Sequence, residues 1–145
     1  KLICFWLVLF NWVQIWMSNM TDFFGRILIS ALFLISAYNK ILSIDGTMGW
    51  MEGFGMPGIL LYPTKALEVI LPLLIIIGYQ TRFAATLLAL FCVVTAFIFH
   101  YDFNDQIQTI AFLKNIGLAG GFLIILTNGP KDWAIDRKKK KYVRL

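Results

Sequence analysis

Residues Ile59–Tyr79 read ILLYPTKALEVILPLLIIIGY, and this stretch decides the fold. The run is long enough to cross the hydrocarbon core of a bilayer as one helix. Glu68 lies inside it. A carboxylate at that depth costs about 2.5–3.5 kcal/mol on insertion scales, so such residues face a bundle interior and mark a site or a structural pair. Pro72 follows four residues later. In a helix its ring removes the hydrogen bond that the Glu68 carbonyl would otherwise accept. One helical turn thus offers both a carboxyl group and a backbone acceptor.

Three more runs of the same kind flank this one: Phe24–Ile44, Phe83–His100 and Ile110–Asn128. Each is near the ~20 residues that a spanning helix needs. The composition agrees, with 59% hydrophobic and only 14% charged residues in 145 and a mean hydropathy of +0.76. A soluble domain rarely exceeds about half apolar. The expected fold is therefore all-α, an integral membrane four-helix bundle, with no room for a separate soluble catalytic domain. The link Gln80-Thr81-Arg82 is so short that spans two and three form an antiparallel hairpin.

The chain divides into an apolar extension over residues 1–20, a four-span domain over 21–130 and a basic tail over 131–145. The extension begins KLICFWLVLFNWVQIW, is interrupted by Asn11 and Gln14, and lacks an A-x-A-like cleavage site. Met17 and Met20 precede the first good span, and translation is expected to start at one of them. An interfacial helix carrying Trp6, Trp12 and Trp16 is the next reading, and a fifth span the third.

Basic residues set the orientation. The tail KDWAIDRKKKKYVRL, Arg82 and Arg26 fall on one side of four spans, whereas the loops Asp45–Gly58 and Tyr101–Thr109 hold acids and no Lys or Arg. Both termini are expected in the cytoplasm, with the protein in the inner (plasma) membrane. The net charge of +5 is explained by orientation and anionic headgroups. It does not indicate nucleic acid, because no recognition motif accompanies it.

Helix rise brings the scattered polar residues to one depth. At ~1.5 Å per residue, Glu68 stands ~16 Å above Tyr79, while Lys40, Lys65 and Lys114 each stand ~21 Å above the inner ends of their helices. His100 ends span three, and Asn39 and Asn115 adjoin two of the lysines. One polar layer in the outer half of the membrane follows. Beneath the aromatic and Met-rich loop DGTMGWMEGFGMPG, it would form a small pocket. Glu68 is its candidate proton-linked, catalytic group, with Lys40, His100, Lys114 and Asn115 as ligand-binding groups. A quinone headgroup suits such a pocket: its two carbonyls need donors, its reduction needs protons, and its tail needs lipid.

Bland readings stand beside these. Glu68 can pair with Lys40 or Lys114 as bundle glue, and lysines, Lys65 above all, can snorkel to the interface. His100 can be an ordinary interfacial residue. Arg26 and Arg82 read as anchors of the cytoplasmic ends. Gly117-x-x-x-Gly121 permits close helix approach within the bundle or between copies in a homo-oligomer. Gly53-x-Gly55-x-x-Gly58 matches a dinucleotide fingerprint only formally, since no βαβ unit surrounds it and Pro57 interrupts it. The single histidine excludes a His-rich metal site and bis-histidine haem, and no metal is assigned. Cys4 and Cys92 form no C-x-x-C, so a dithiol relay is unsupported.

The ordered set of motifs resembles the DoxX family of small four-helix membrane proteins. It comprises Gly25-Arg26, Leu32-Phe33-Leu34-Ile35-Ser36, Lys40-Ile41, Gly55-x-Pro57, Glu68, Gly78-x-x-Thr81-Arg82, Phe99-His100, Phe112-x-Lys114-Asn115, Gly120-Gly121, Gly129-Pro130 and Asp136. It covers residues 22–136, and Ala37 departs from it where a Gly is usual. The resemblance implies a quinone-interacting accessory or subunit of a membrane redox complex, with electrons supplied by a partner protein. It equally accommodates a non-catalytic assembly, scaffold or chaperone-like protein. Any enzyme activity would be that of a subunit in a quinone-linked oxidoreductase.

Overall fold

The computed structural model describes residues 2–137, with residues 2–9 described by backbone alone. Helix α1 spans Leu2–Leu42, α2 Ile44–Gly53, α3 Leu61–Ile77, α4 Thr81–Phe99 and α5 Gln106–Asn128, and a 3-10 turn at Gly58–Leu60 leads into α3. No strand occurs among the described residues. Four segments are long and apolar enough to cross a membrane: Phe10–Leu42, Gly58–Ile77, Thr81–Phe99 and Gln106–Asn128.

The stretch before Phe24 is therefore not a separate element. It continues α1 without a break, and residues such as Trp12 and Trp16 on it are exposed. The tail residues 138–145 lie outside the described region. Residues 131–137, by contrast, are built into the base of the bundle.

Helix α1 packs on α3, α3 on α4 and α4 on α5. Phe33 of α1 closes the ring, its side chain meeting Phe122 of α5 edge-on with centroids 5.5 Å apart. The buried face of α1 reads Asn19, Arg26, Ser30, Phe33 and Ala37. With Asp22 and Lys40, these residues recur every three or four positions and make one stripe down the helix. Ala37, 1% exposed, sits in that stripe at the position where the sequence departs from the glycine. Helix α4 buries Ala84, Ala85, Ala89, Cys92 and Ala96, so its backbone lies close to its neighbours. Between helices in lipid there is little water to expel, and such close packing carries the association. Outward-facing Leu28, Ile70, Leu90 and Ile124 are exposed, as lipid contact requires.

The α3–α4 turn depends on a glycine. Gly78 has φ +70°, and its N–H and that of Tyr79 close on the carbonyls of Ile75 and Leu74. Ala134 occupies the space a Cβ would need, so close approach and left-handed backbone both call for glycine here.

Candidate functional site

The hydrophobic core, including Leu71, Ile75, Leu88 and Phe122, fills the end of the bundle near the α3–α4 turn. The other end is not filled. There a cavity of about 480 Å³ lies between α1, α3, α4 and α5, with α2 across its mouth. Its walls are mainly apolar. Trp50 and Met51 of α2 and Met56 form the cover, with Trp50 stacked on Phe99 at 4.8 Å.

All five residues singled out as site candidates line this cavity: Lys40, Glu68, His100, Lys114 and Asn115. They come from α1, α3, the end of α4 and α5. Lys40 Nζ donates to Glu68 Oε1 at 2.5 Å. Glu68 is 3% exposed, and its second oxygen, Oε2, is buried without a hydrogen-bond partner among the described residues. His100 Nδ1 lies 2.7 Å from Gln108 Oε1, which fixes the ring against the first turns of α5. Neither Lys114 nor Asn115 has a hydrogen-bond partner among the described residues.

Three other wall hydroxyls are committed. Thr47 donates to Ser43 O, Thr64 to Leu60 O and Thr95 to Phe91 O, each within its own helix region. The groups left to meet a guest are the Lys40–Glu68 pair, the Lys114 ammonium, the Asn115 amide, the His100 ring and the Ser36 hydroxyl. A guest with two acceptors and an apolar body fits that set, and a pocket of this size and lining is typical of small-molecule sites.

Two polar residues fall elsewhere. Lys65 lies over the Tyr62 ring at 4.8 Å and is not in the cavity wall. Asn39 is exposed. The sequence did not flag Gln108 or the cover residue Trp50 as site residues, because their roles arise from partners in distant turns.

The opposite end corrects the reading of Arg26 as a simple anchor. Arg26 is 1% exposed. Its Nη1 donates to the carbonyls of Ile75 at 2.9 Å and Ile76 at 2.8 Å, its Nη2 to Trp133 O at 3.0 Å, and its Nε to Asp22 at 3.0 Å. It thus gives the Ile76 carbonyl at the end of α3 a donor and adds a second to that of Ile75. Asp136 completes the clasp, accepting from Gln80 N, Thr81 N and Thr81 Oγ1 and so capping α4. Asp22 and Asn19 accept from Lys131 N and Asp132 N. No group of three or more His, Cys, Asp or Glu side chains is placed to hold a metal among the described residues.

The sequence matches the DoxX family over residues 21–101, more than half of the chain. This chain belongs to the DoxX family. It is 38% identical over 117 residues to the inner membrane protein YqjF of Escherichia coli K12, covering 81% of this chain and 90% of that protein. It is 32% identical over 121 residues to the inner membrane protein YphA of the same organism, covering 79% and 86%. A likeness of 26% over 125 residues to the ER-derived vesicles protein ERV29 of Saccharomyces cerevisiae covers 83% of this chain but 34% of that protein. No solved structure matches the chain. The four spanning helices make this DoxX protein a multi-pass membrane protein.

Proposed function

We propose that this DoxX protein is an inner-membrane, quinone-interacting accessory or subunit of a redox complex, with both termini in the cytoplasm. The observation that carries the reading is the convergence of Lys40, Glu68, His100, Lys114 and Asn115 on one mainly apolar cavity at membrane depth. The residues suit the group. Lys114 and Asn115 offer hydrogen bonds to carbonyl oxygens, His100 stands at the outer mouth, and Glu68 with Lys40 forms a proton-linked pair. A quinone would supply two-electron carrier chemistry, and a partner protein would supply the electrons. The chain's own part is to hold the headgroup, exclude water beneath α2 and hold a proton at Glu68.

The test is mass spectrometry of lipid-soluble molecules that co-purify in mild detergent, comparing wild type with Glu68→Ala/Lys114→Ala. A quinone retained by wild type and lost from the folded variant supports the reading. Retention that survives Glu68→Ala removes Glu68 from the site. A second reading rests on the Lys40–Glu68 bridge between α1 and α3: the polar layer organises the helices of a non-catalytic assembly or chaperone-like protein. No quinone in either sample, with Glu68→Ala lowering stability and partner recovery together, selects that reading.

A further inference from the structure

At the end of the bundle that carries the clasp, a second cavity of about 350 Å³ is lined by Gln80, Arg82, Phe83, Asn128, Gly129, Pro130, Asp136 and Arg137. It is remote from the first cavity and shares no wall residue with it. Two guanidinium groups line it from separate segments, Arg82 in the first turn of α4 and Arg137 after α5, each donating to a backbone carbonyl at or just past the end of α5. The Arg82 guanidinium lies over Gly129, where φ is +66° and a Cβ would come within 3.1 Å of Nε. Arg82 Nη2 donates to Thr127 O at 3.3 Å. Arg137 Nε donates to Pro130 O at 3.2 Å.

One carboxylate, Asp136, shares the wall and offsets one of the two positive charges. Asp136 accepts from the Gln80 and Thr81 backbone with one oxygen each, and from the Thr81 hydroxyl. Its oxygens are turned to the start of α4, and no ion pair joins it to either arginine among the described residues. The wall keeps a net positive charge, and an anion bound there relieves the repulsion between the two cations. A guanidinium presents paired donors that match phosphate oxygens, and the Gln80 and Asn128 side chains add neutral polar groups to the same wall. Phe83 lies in the wall too and is 57% exposed on α4, so an apolar chain leaving the cavity along the helix finds an aromatic surface.

We propose that this cavity binds a phosphate group, Arg82 and Arg137 being its ligands, and that the phosphate is the headgroup of an anionic phospholipid. Exposed Phe83 favours a lipid over free phosphate as the source, and basic pockets between spanning helices are established headgroup sites. This inference does not depend on the quinone reading.

The test uses the full chain purified in a non-ionic detergent and titrated with phosphatidylglycerol or phosphatidylcholine, with bound lipid counted by native mass spectrometry. Wild type is expected to retain phosphatidylglycerol selectively. Arg82→Gln and Arg137→Gln are each expected to weaken that retention about fivefold. Arg82→Lys keeps the charge and loses less, and thermal unfolding of each variant confirms that the bundle stands. Because every variant keeps the Lys-rich tail, the comparison isolates the cavity. Equal retention of the two lipids by wild type, or undiminished selectivity in folded Arg82→Gln/Arg137→Gln, would overturn the site. Competition with inorganic phosphate separates the sources: full displacement at millimolar phosphate keeps the phosphate chemistry and overturns the lipid as its carrier.

Discussion

Lys40 Nζ lies 2.5 Å from Glu68 Oε1, and the two partners are unequally sheltered, the lysine side chain 27% exposed and the glutamate 3%. Removing the lysine strands a buried carboxylate. Removing the glutamate leaves a lysine that can still reach the cavity. Lys40→Met should therefore destabilise more than Glu68→Gln, by about 1–3 kcal/mol. The double variant Lys40→Met/Glu68→Leu should recover most of the loss, since a matched apolar pair replaces a buried ion pair at little cost. Thermal unfolding in detergent reads all three, and equal single losses without recovery would contradict the asymmetry.

Arg26 is the most heavily bonded side chain of the clasp. Arg26→Met leaves the carbonyls of Ile75, Ile76 and Trp133 and the Asp22 carboxylate without it, and should cost about 3–5 kcal/mol. Arg26→Lys should rescue little, because a single ammonium cannot reproduce a planar fork that reaches α3, Trp133 and Asp22 together. Recovery of folded protein after detergent extraction and its melting temperature provide the check. A lysine variant as stable as wild type would show that charge alone suffices.

Two glycines should answer substitution in opposite ways. Gly78→Ala places a side chain at φ +70° against Ala134, and should cost about 1–2 kcal/mol or more. Gly117 has nothing within 4 Å of a built Cβ, so Gly117→Ala should stabilise the monomer by about 0.5–1 kcal/mol. If copies of the chain meet at the exposed Gly117 face, the same variant shifts the oligomeric state seen by light scattering. An unchanged state with a raised melting temperature places that glycine against lipid.

The orientation argued from the basic residues makes its own prediction. A periplasmic reporter inserted after Asn104 should be active, and a cytoplasmic one fused to the carboxyl end should fluoresce. Reversed signals would invert the bundle and put the cavity on the cytoplasmic side.

Much of this was legible in the residues. Apolar run lengths mark the spanning helices, because the bilayer fixes helix length, and the common depth of Lys40, Glu68, Lys114 and His100 follows from helix rise alone. Depth says nothing of azimuth. That Lys65 turns to Tyr62 while Lys114 lines the cavity depends on how each helix is rotated, and rotation is set by packing. Arg26 shows a second blind spot. Its partners are mostly backbone carbonyls, and carbonyls leave no trace in residue type. The one available hint was an arginine two residues into an otherwise apolar span. The α2 cover was concealed likewise, since DGTMGWMEGFGMPG is rich in glycine and reads as loop until Trp50 finds Phe99.

Most of the polar bonds between helices lie at one end. Around Arg26 and Asp136, α1, α3, α4 and the segment after α5 are cross-linked within a few residues. At the far end the helices meet around a hollow, joined among the described residues by the Lys40–Glu68 ion pair, the His100–Gln108 hydrogen bond and an aromatic cover. Rods bound at the base act as levers, so a tilt too small to disturb the base is multiplied along each helix. On the proposed function, such a tilt would part the cavity walls toward lipid while the bonds of the clasp hold, and a guest could enter sideways without unfolding.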